Sequence, residues 1–337
     1  MPCRDIVVIG ASAGGVEALS QIVQVLPLDL SAALFVVVHF PSYSTSFLPQ
    51  ILNRYGSLIA LHPQDGEQIQ LGRIYVAPPD YHLVVKRDRI RLSHDPRQNG
   101  HRPAIDRLFS SAARAYGSRV IGVILSGMLD DGTAGLAVIK ARGGVAIVQD
   151  PVEALFDSMP RSAIKNVKVD CILKLTDIAS TLVEITRDPL KEEDPVSDDL
   201  EADTVAQDKA ALERGERPGQ PSPLTCPSCG GVLWELQDGN LIRFRCHVGH
   251  AYSTDSLMAE QADTVETALW SAVRALEEKA ALGRRLETQA RQQNRFHSEV
   301  QFKAQAQAAE RDAALVRQII LQSAIKAPNE EANSEEA

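Results

Sequence analysis

Asp5-Ile6-Val7-Val8-Ile9-Gly10-Ala11-Ser12-Ala13-Gly14-Gly15 is the stretch whose reading decides the fold. Ile6–Ile9 is an unbroken β-branched run with no polar alternation, which predicts a strand buried on both faces. The glycines that follow permit a sharp turn, and the pattern then changes to a helical period over Gly15–Val25. Strand, tight glycine turn and helix form the opening of a parallel α/β unit.

The same alternation continues outward from this stretch. Further strands are predicted at Leu34–His39, Arg73–Ala77, Ile121–Leu125 and Val145–Val148, with Asp5–Ile9 as the first. Helices are predicted at Thr45–Tyr55, Ile105–Tyr116 and Ala134–Ala141. His82–Val85 and Arg89–Leu92 flank a short charged turn and read as an inserted β-hairpin. The fold class is therefore α/β, a doubly wound, mainly parallel, Rossmann-like sheet with a hairpin, occupying residues 1–187.

The composition changes after Arg187. Asp188–Asp203 carries eight acidic residues, one lysine and two prolines, too few apolar groups for a core, so residues 188–223 read as a flexible acidic linker. Residues 224–253 form a small Cys/His unit. A helical region is expected over 254–326, where Met258, Ala262, Val265, Leu269, Val273, Leu276 and Ala280 step by three and four into one apolar stripe. The polar stretch Arg291–Arg295 is expected to bend or break it. Residues 327–337 read as a disordered tail.

Net charge of −9 argues against a nucleic-acid footprint, with Arg243, Arg245 and His247 the only local support for one. No apolar run approaches the roughly 20 residues of a membrane span, and the N-terminus shows no signal-peptide pattern, so no membrane insertion and a cytoplasmic location are expected. The cysteines agree: Cys3 and Cys171 stand alone, and Cys226, Cys229 and Cys246 cluster, unlike a disulfide framework.

Gly10-Ala11-Ser12-Ala13-Gly14 fits G-x-S-x-G, a strand-to-helix elbow that lifts a serine above the sheet edge. The rival reading is a dinucleotide loop, which needs glycine where Ser12 stands and an acidic residue at the end of the second strand. That strand ends instead in His39. A third strand runs into Ser126-Gly127-Met128-Leu129-Asp130-Asp131-Gly132, supplying carboxylates, one of which is expected to cap a helix. Serine, histidine and aspartate from three strand ends are the components of acyl transfer. Their order differs from that of the α/β-hydrolases, which excludes that fold.

Residues 4–187 resemble the catalytic domain of the chemotaxis protein-glutamate methylesterase family, CheB. The resemblance rests on Ile9–Gly15, Val38-His39-Phe40-Pro41, Val76-Ala77-Pro78-Pro79-Asp80, Pro103–Phe109, Leu125–Gly132 and Ser158-Met159-Pro160-Arg161-Ser162-Ala163, in the family's order. It implies hydrolysis of γ-glutamyl methyl esters, and deamidation of some glutamines, on chemoreceptor-like substrates, with no cofactor for catalysis. It implies Ser12 as nucleophile, His39 as general base, Asp131 rather than Asp130 as the triad acid, and the Met128 N–H as an oxyanion donor. Ala13 stands where the family often has a small hydroxyl residue, leaving its N–H as the second donor. Only a few residues precede the first strand, so the family's phosphorylated receiver is not expected in this chain.

Cys226-Pro227-Ser228-Cys229 and Cys246-His247-Val248-Gly249-His250 supply three thiolates and an imidazole. Cys226, Cys229, Cys246 and His250 are expected to bind a structural Zn²⁺, because about thirty residues cannot build a stable core unaided. The acidic linker separates this unit from the triad in sequence, so the metal is expected to serve the unit and not the chemistry. The apolar helical stripe needs a partner: a second copy, the Gln289–Ile325 stretch folded back, or another protein. The alternative function is a signalling module in which the zinc unit and helix bind partners and the esterase is secondary.

Overall fold

The computed structural model describes residues 3–41, 44–189, 219–238 and 241–325. Two compact units divide it, Met1–Met258 and Ala259–Ala337. In the first, seven strands form one parallel sheet in the order β3-β4-β2-β1-β7-β8-β9. These are β1 (Ile6–Ala11), β2 (Ala33–Val38), β3 (Ile59–Leu61), β4 (Arg73–Val76), β7 (Val120–Ile124), β8 (Val145–Gln149) and β9 (Cys171–Leu173). β5 (His82–Lys86) and β6 (Arg89–Ser93) pair antiparallel as the expected hairpin.

All six residues of β1 and of β2 are buried, as their unbroken apolar runs require. Val7, Ile9 and Ala11 face one layer, with Leu19 and Ile22 of α1 (Gly15–Val25), Leu52 of α2 (Leu48–Tyr55) and Ile178 and Leu182 of α6 (Leu175–Arg187). Ile6 and Val8 face the other, with Leu108 and Phe109 of α3 (Ile105–Tyr116), Leu136 and Ile139 of α4 (Thr133–Ala141) and Met159 and Ala163 of α5 (Ser158–Asn166). Each of the Val, Leu, Ile, Phe and Met side chains contributes about 1.5–3 kcal/mol of burial free energy. The strand order reverses between β1 and β7, so their carboxyl ends open a crevice, the usual ligand position in a doubly wound sheet.

β3 and β9 lie outside the predicted set. Each is a three-residue edge strand, too short to show a period. α5 and α6 are also additional to the predicted helices, although Leu175, Ile178, Ala179 and Leu182 carry a helical stripe.

The Cys/His unit is a four-stranded antiparallel sheet, β10 (Gln220–Thr225), β11 (Val232–Asp238), β12 (Leu241–Cys246) and β13 (Ala251–Ser253). Its first strand begins upstream of the 224 boundary read from the cysteines. Pro221 and Pro223 sit in that strand because it is an edge, where missing donors are tolerated. Leu233, Phe244, Tyr252 and Leu257 fill a small core with Cys226 and Cys246. Most of the stretch read as a linker, residues 190–218, and the tail expected from 327 lie outside the described residues.

α7 (Thr254–Gln292) and α8 (Phe296–Ile325) are separated at Gln293–Arg295, where Asn294 adopts a φ of 55°. The predicted break therefore falls within Arg291–Arg295. In the second unit the two helices pair. Ala280, Gly283, Ala290, Ala306, Ala309 and Ala313 are buried, and a Cβ on Gly283 would lie 3.0 Å from that of Ala306. Arg284 bridges to Glu310 at 2.8 Å, and Arg317 pairs with Glu277. The apolar stripe thus gains a partner by folding back, at Val273 and Ala280, while Val265 stays 58% exposed. Among the described residues no helix is long and apolar enough to cross a membrane.

Candidate active site

Ser12 follows β1 directly, at the elbow. Its N–H donates to Ser126 O at 3.0 Å, and Ser126 is itself held by Gln149 Oε1, which accepts the Ser126 N–H at 2.8 Å. The Ser126 hydroxyl donates to Ala13 O at 2.8 Å. Two glycines make the turn possible. Gly14 has a φ of 75°, and a Cβ there would come 2.8 Å from Ser126 Oγ. Gly127 approaches so closely that a Cβ would lie 2.9 Å from Ser12 Cβ and closer still to Met159. The elbow is thus fixed from the ends of β7 and β8 as well as from β1.

His39 follows β2. Its Nδ1 lies 3.3 Å from Ser12 Oγ, and its Nε2 lies 2.9 Å from Asp131 Oδ2. The ring is 6% exposed and the carboxylate 2%. In the serine-protease arrangement Nε2 faces the serine and Nδ1 the carboxylate. Here the ring presents the opposite edges, and the relay is kept. A proton on Nε2 satisfies Asp131 and leaves the Nδ1 lone pair toward Ser12. His101 stacks on His39 with ring centroids 3.7 Å apart. Burial, then the charge of His39, push His101 down to about 4, so a neutral ring covers the His39 imidazole.

Asp131 accepts four N–H groups. Besides His39 these are Ile105 N at 2.7 Å, Asp106 N at 3.2 Å and Asn99 Nδ2 at 2.8 Å. Burial works against its charge, but the hydrogen bond and charge of His39, with His101 and the Ile105 N–H, hold the carboxyl well below its ordinary range. It stays ionised, as a partner for imidazolium must.

The expected helix cap is not supplied by either aspartate of the pair. Asp106, from α3, does it: its Oδ1 accepts Gly132 N at 3.1 Å and Gly135 N at 2.6 Å at the start of α4. Asp106 shares a buried face with Phe109 and Ala113, a spacing visible in the sequence. Burial and then the charge of Asp131 push it up to about 6. Asp130 instead receives the hydroxyls of Ser253 at 2.7 Å and Ser256 at 2.9 Å.

Ala13 follows the serine on the elbow, and Met128 follows Gly127, which abuts the serine, on the β7 turn. Their N–H groups make none of the hydrogen bonds found among the described residues. A cleft of about 410 Å³ opens beside His39, walled by Phe40, His101, Arg97 and Arg102. Arg102 is fixed by Asp80 Oδ1, which accepts from its Nη2 at 2.7 Å and Nε at 3.0 Å.

This geometry agrees with what known proteins share with the chain. The family model described as CheB methylesterase matches residues 7–182, which contain Ser12, His39 and Asp131. The chain belongs to the CheB methylesterase family. A putative protein-glutamate methylesterase/protein-glutamine glutaminase of Leptospira interrogans is 38% identical over 189 residues, 56% of this chain and 98% of that protein. A protein-glutamate methylesterase/protein-glutamine glutaminase of Clostridium acetobutylicum is 36% identical over 184 residues, 54% of this chain but only 53% of that longer protein. The crystal structure of the Thermotoga maritima CheB methylesterase catalytic domain superposes with a TM-score of 0.52 at 34% identity, covering 55% of this chain and 99% of that one. The CheB match stops before the Cys/His unit.

In that unit Cys226, Cys229, Cys246 and His250 bring their ligating atoms within 4.8 Å of one another. Cys229 Sγ and Cys246 Sγ are 3.7 Å apart, and Cys246 Sγ and His250 Nδ1 are 3.5 Å apart. Tetrahedral Zn²⁺ with Zn–S near 2.3 Å and Zn–N near 2.0–2.1 Å requires edges of about 3.8 and 3.6 Å. Gly230 N–H donates to Cys226 O at 2.8 Å and Gly249 N–H to Cys246 O at 3.0 Å, so each ligand pair sits on a tight turn. The residues fit a tetrahedral metal. The unit does not stand apart from Ser12, His39 and Asp131 as the linker suggested: β13 lies against Asn99 and Asp130.

Proposed function

We propose that this chain is a serine hydrolase that removes methyl esters from glutamate side chains of chemoreceptor-like proteins and deamidates glutamines by the same route. The observation that carries the reading is the Ser12–His39–Asp131 relay at the switch point of a CheB-family sheet. The names of the relatives supply the protein-glutamate ester and protein-glutamine chemistry, and the family resemblance supplies the chemoreceptor-like carrier.

Ser12 Oγ attacks the γ-carbonyl while His39 Nδ1 takes its proton. The N–H groups of Ala13 and Met128 bind the oxyanion. His39 returns the proton to the leaving methoxide, releasing methanol, or to the leaving amide nitrogen, releasing ammonia. Water, deprotonated by His39, then cleaves the glutamyl–Ser12 ester and frees the carboxylate and Ser12. No cofactor takes part in these steps. The Arg97 and Arg102 wall suits an acidic protein surface.

The test is methanol release from a methylated receptor fragment by the purified full chain. Release that depends on Ser12 is expected. Turnover of a small ester with no methanol from any methylated receptor fragment would remove the substrate assignment and leave the hydrolase. The free cysteines fit a reducing, cytoplasmic setting, and Cys226, Cys229, Cys246 and His250 are assigned a structural Zn²⁺. The α7–α8 hairpin is assigned self-association or partner docking, checked by solution mass of the full chain against one ending at Met258.

A further inference from the structure

β13 begins at the residue after His250, so its place is tied to that ligand. Ala251 O accepts the Asn99 N–H at 2.7 Å, and Ser253 N–H donates to Asn99 Oδ1 at 2.9 Å. The Ser253 and Ser256 hydroxyls fasten the same segment to Asp130. Arg243 of β12 lies 3.7 Å from Asp106. The Cys/His sheet is therefore seated on the residues that surround the triad carboxylate.

Asn99 is the joint. It is 2% exposed and holds a φ of 52°, a left-handed conformation that asparagine tolerates better than most residues. Its Nδ2 donates one hydrogen to Asp131 at 2.8 Å and the other to Asp106 at 3.0 Å. An amide can present either its oxygen or its nitrogen. The Ser253 N–H, a donor, selects the oxygen and so turns the NH₂ toward the two carboxylates. Without that donor a flipped amide would set its oxygen against Asp131, repelling the charge that orients His39.

We propose that the Cys/His unit is a metal-dependent positioning element of the esterase site: metal at Cys226, Cys229, Cys246 and His250 fixes β13, β13 fixes the Asn99 amide, and Asn99 aligns Asp131. Asn99 is a positioning residue, acting through Asp131 and His39. The proposal rests on the hydrolase reading for its chemistry, but Ser12 reactivity measures it without any receptor substrate.

The experiment uses the full chain, with metal content measured before and after chelation, and Cys229→Ser as a second route. Cys229 is exposed and lies outside the CheB domain, so the sheet and triad remain folded. In metal-free protein, hydrogen exchange should show protection lost at the Asn99 and Ser253 amides and kept in β1 and β7. Labelling of Ser12 by a fluorophosphonate should slow about 10–100-fold, the size expected when a catalytic group shifts by about 1 Å. On a small methyl ester kcat should fall by the same factor with KM within about twofold, and Zn²⁺ should restore both. Metal-loaded Asn99→Ala should show the same loss, and chelating it should add less than about threefold, because both changes break one linkage. The proposal is overturned if metal-free chain with an opened β13 labels Ser12 at the full rate. It is also overturned if the two losses multiply, or if the four ligands hold no metal. Normal labelling and metal dependence without methanol release would instead sink only the receptor-ester reading.

Discussion

Ser12→Ala should yield a folded protein whose ester hydrolysis is lower by about five to six orders of magnitude, the scale seen when a triad nucleophile is removed. The side chain is half-buried, and its hydroxyl meets only His39 Nδ1 among the described residues, at 3.3 Å. Deleting it costs about 1 kcal/mol of stability or less. The elbow survives, since it is held by Ser126, Gln149 and the approach of Gly127. What disappears is the covalent step: alanine leaves His39 with no proton to take and the oxyanion donors with no bound acyl group. Residual turnover would come from water positioned by the same donors. The check is kcat/KM on a small methyl ester together with loss of fluorophosphonate labelling. Turnover within about tenfold of the parent would remove Ser12 from the mechanism.

The sheet and the three chemical groups were legible because each depends on local sequence. Ile6–Ile9 and Leu34–Val38 are buried on both faces and show it as unbroken apolar runs. Ser12, His39 and Asp131 each follow such a run, and a parallel sheet must bring those ends to one edge. The supporting shell was not legible for the opposite reason. Asn99 sits in a loop with no local signature, and the helical spacing of Asp106 marks a buried position without saying what it holds. Their work is done across the fold, on Asp131, Gly132 and Gly135. The Cys226, Cys229, Cys246 and His250 cluster was legible from spacing, but the seat of its unit was not. A linker of some thirty residues sets a reach, not a destination, and here the unit returns to its own domain. Separation in sequence does not imply separation in space.

Asp131→Asn should lower kcat by about 10⁴-fold, while Asp130→Asn should lower it by about tenfold or less, both in metal-loaded full-length protein. The two residues are neighbours with different partners. Asp131 accepts from four N–H groups, two on each oxygen, and it is 2% exposed. An asparagine must direct its NH₂ at one of those pairs. If the NH₂ replaces Oδ1 it meets the donors of Asn99 and Asp106. If it replaces Oδ2 it meets the Ile105 N–H and compels His39 to accept at Nε2, moving the imidazole proton to Nδ1, against Ser12. In that tautomer His39 cannot act as base, and in either orientation the charge opposing the imidazolium is gone. Asp130 accepts two hydroxyls at one oxygen, and an asparagine Oδ1 can keep both. Its substitution weakens only the grip on Ser253 and Ser256. Steady-state kinetics of the two variants, with metal content matched, decides the assignment, and a greater loss for Asp130→Asn would transfer the triad role to that residue.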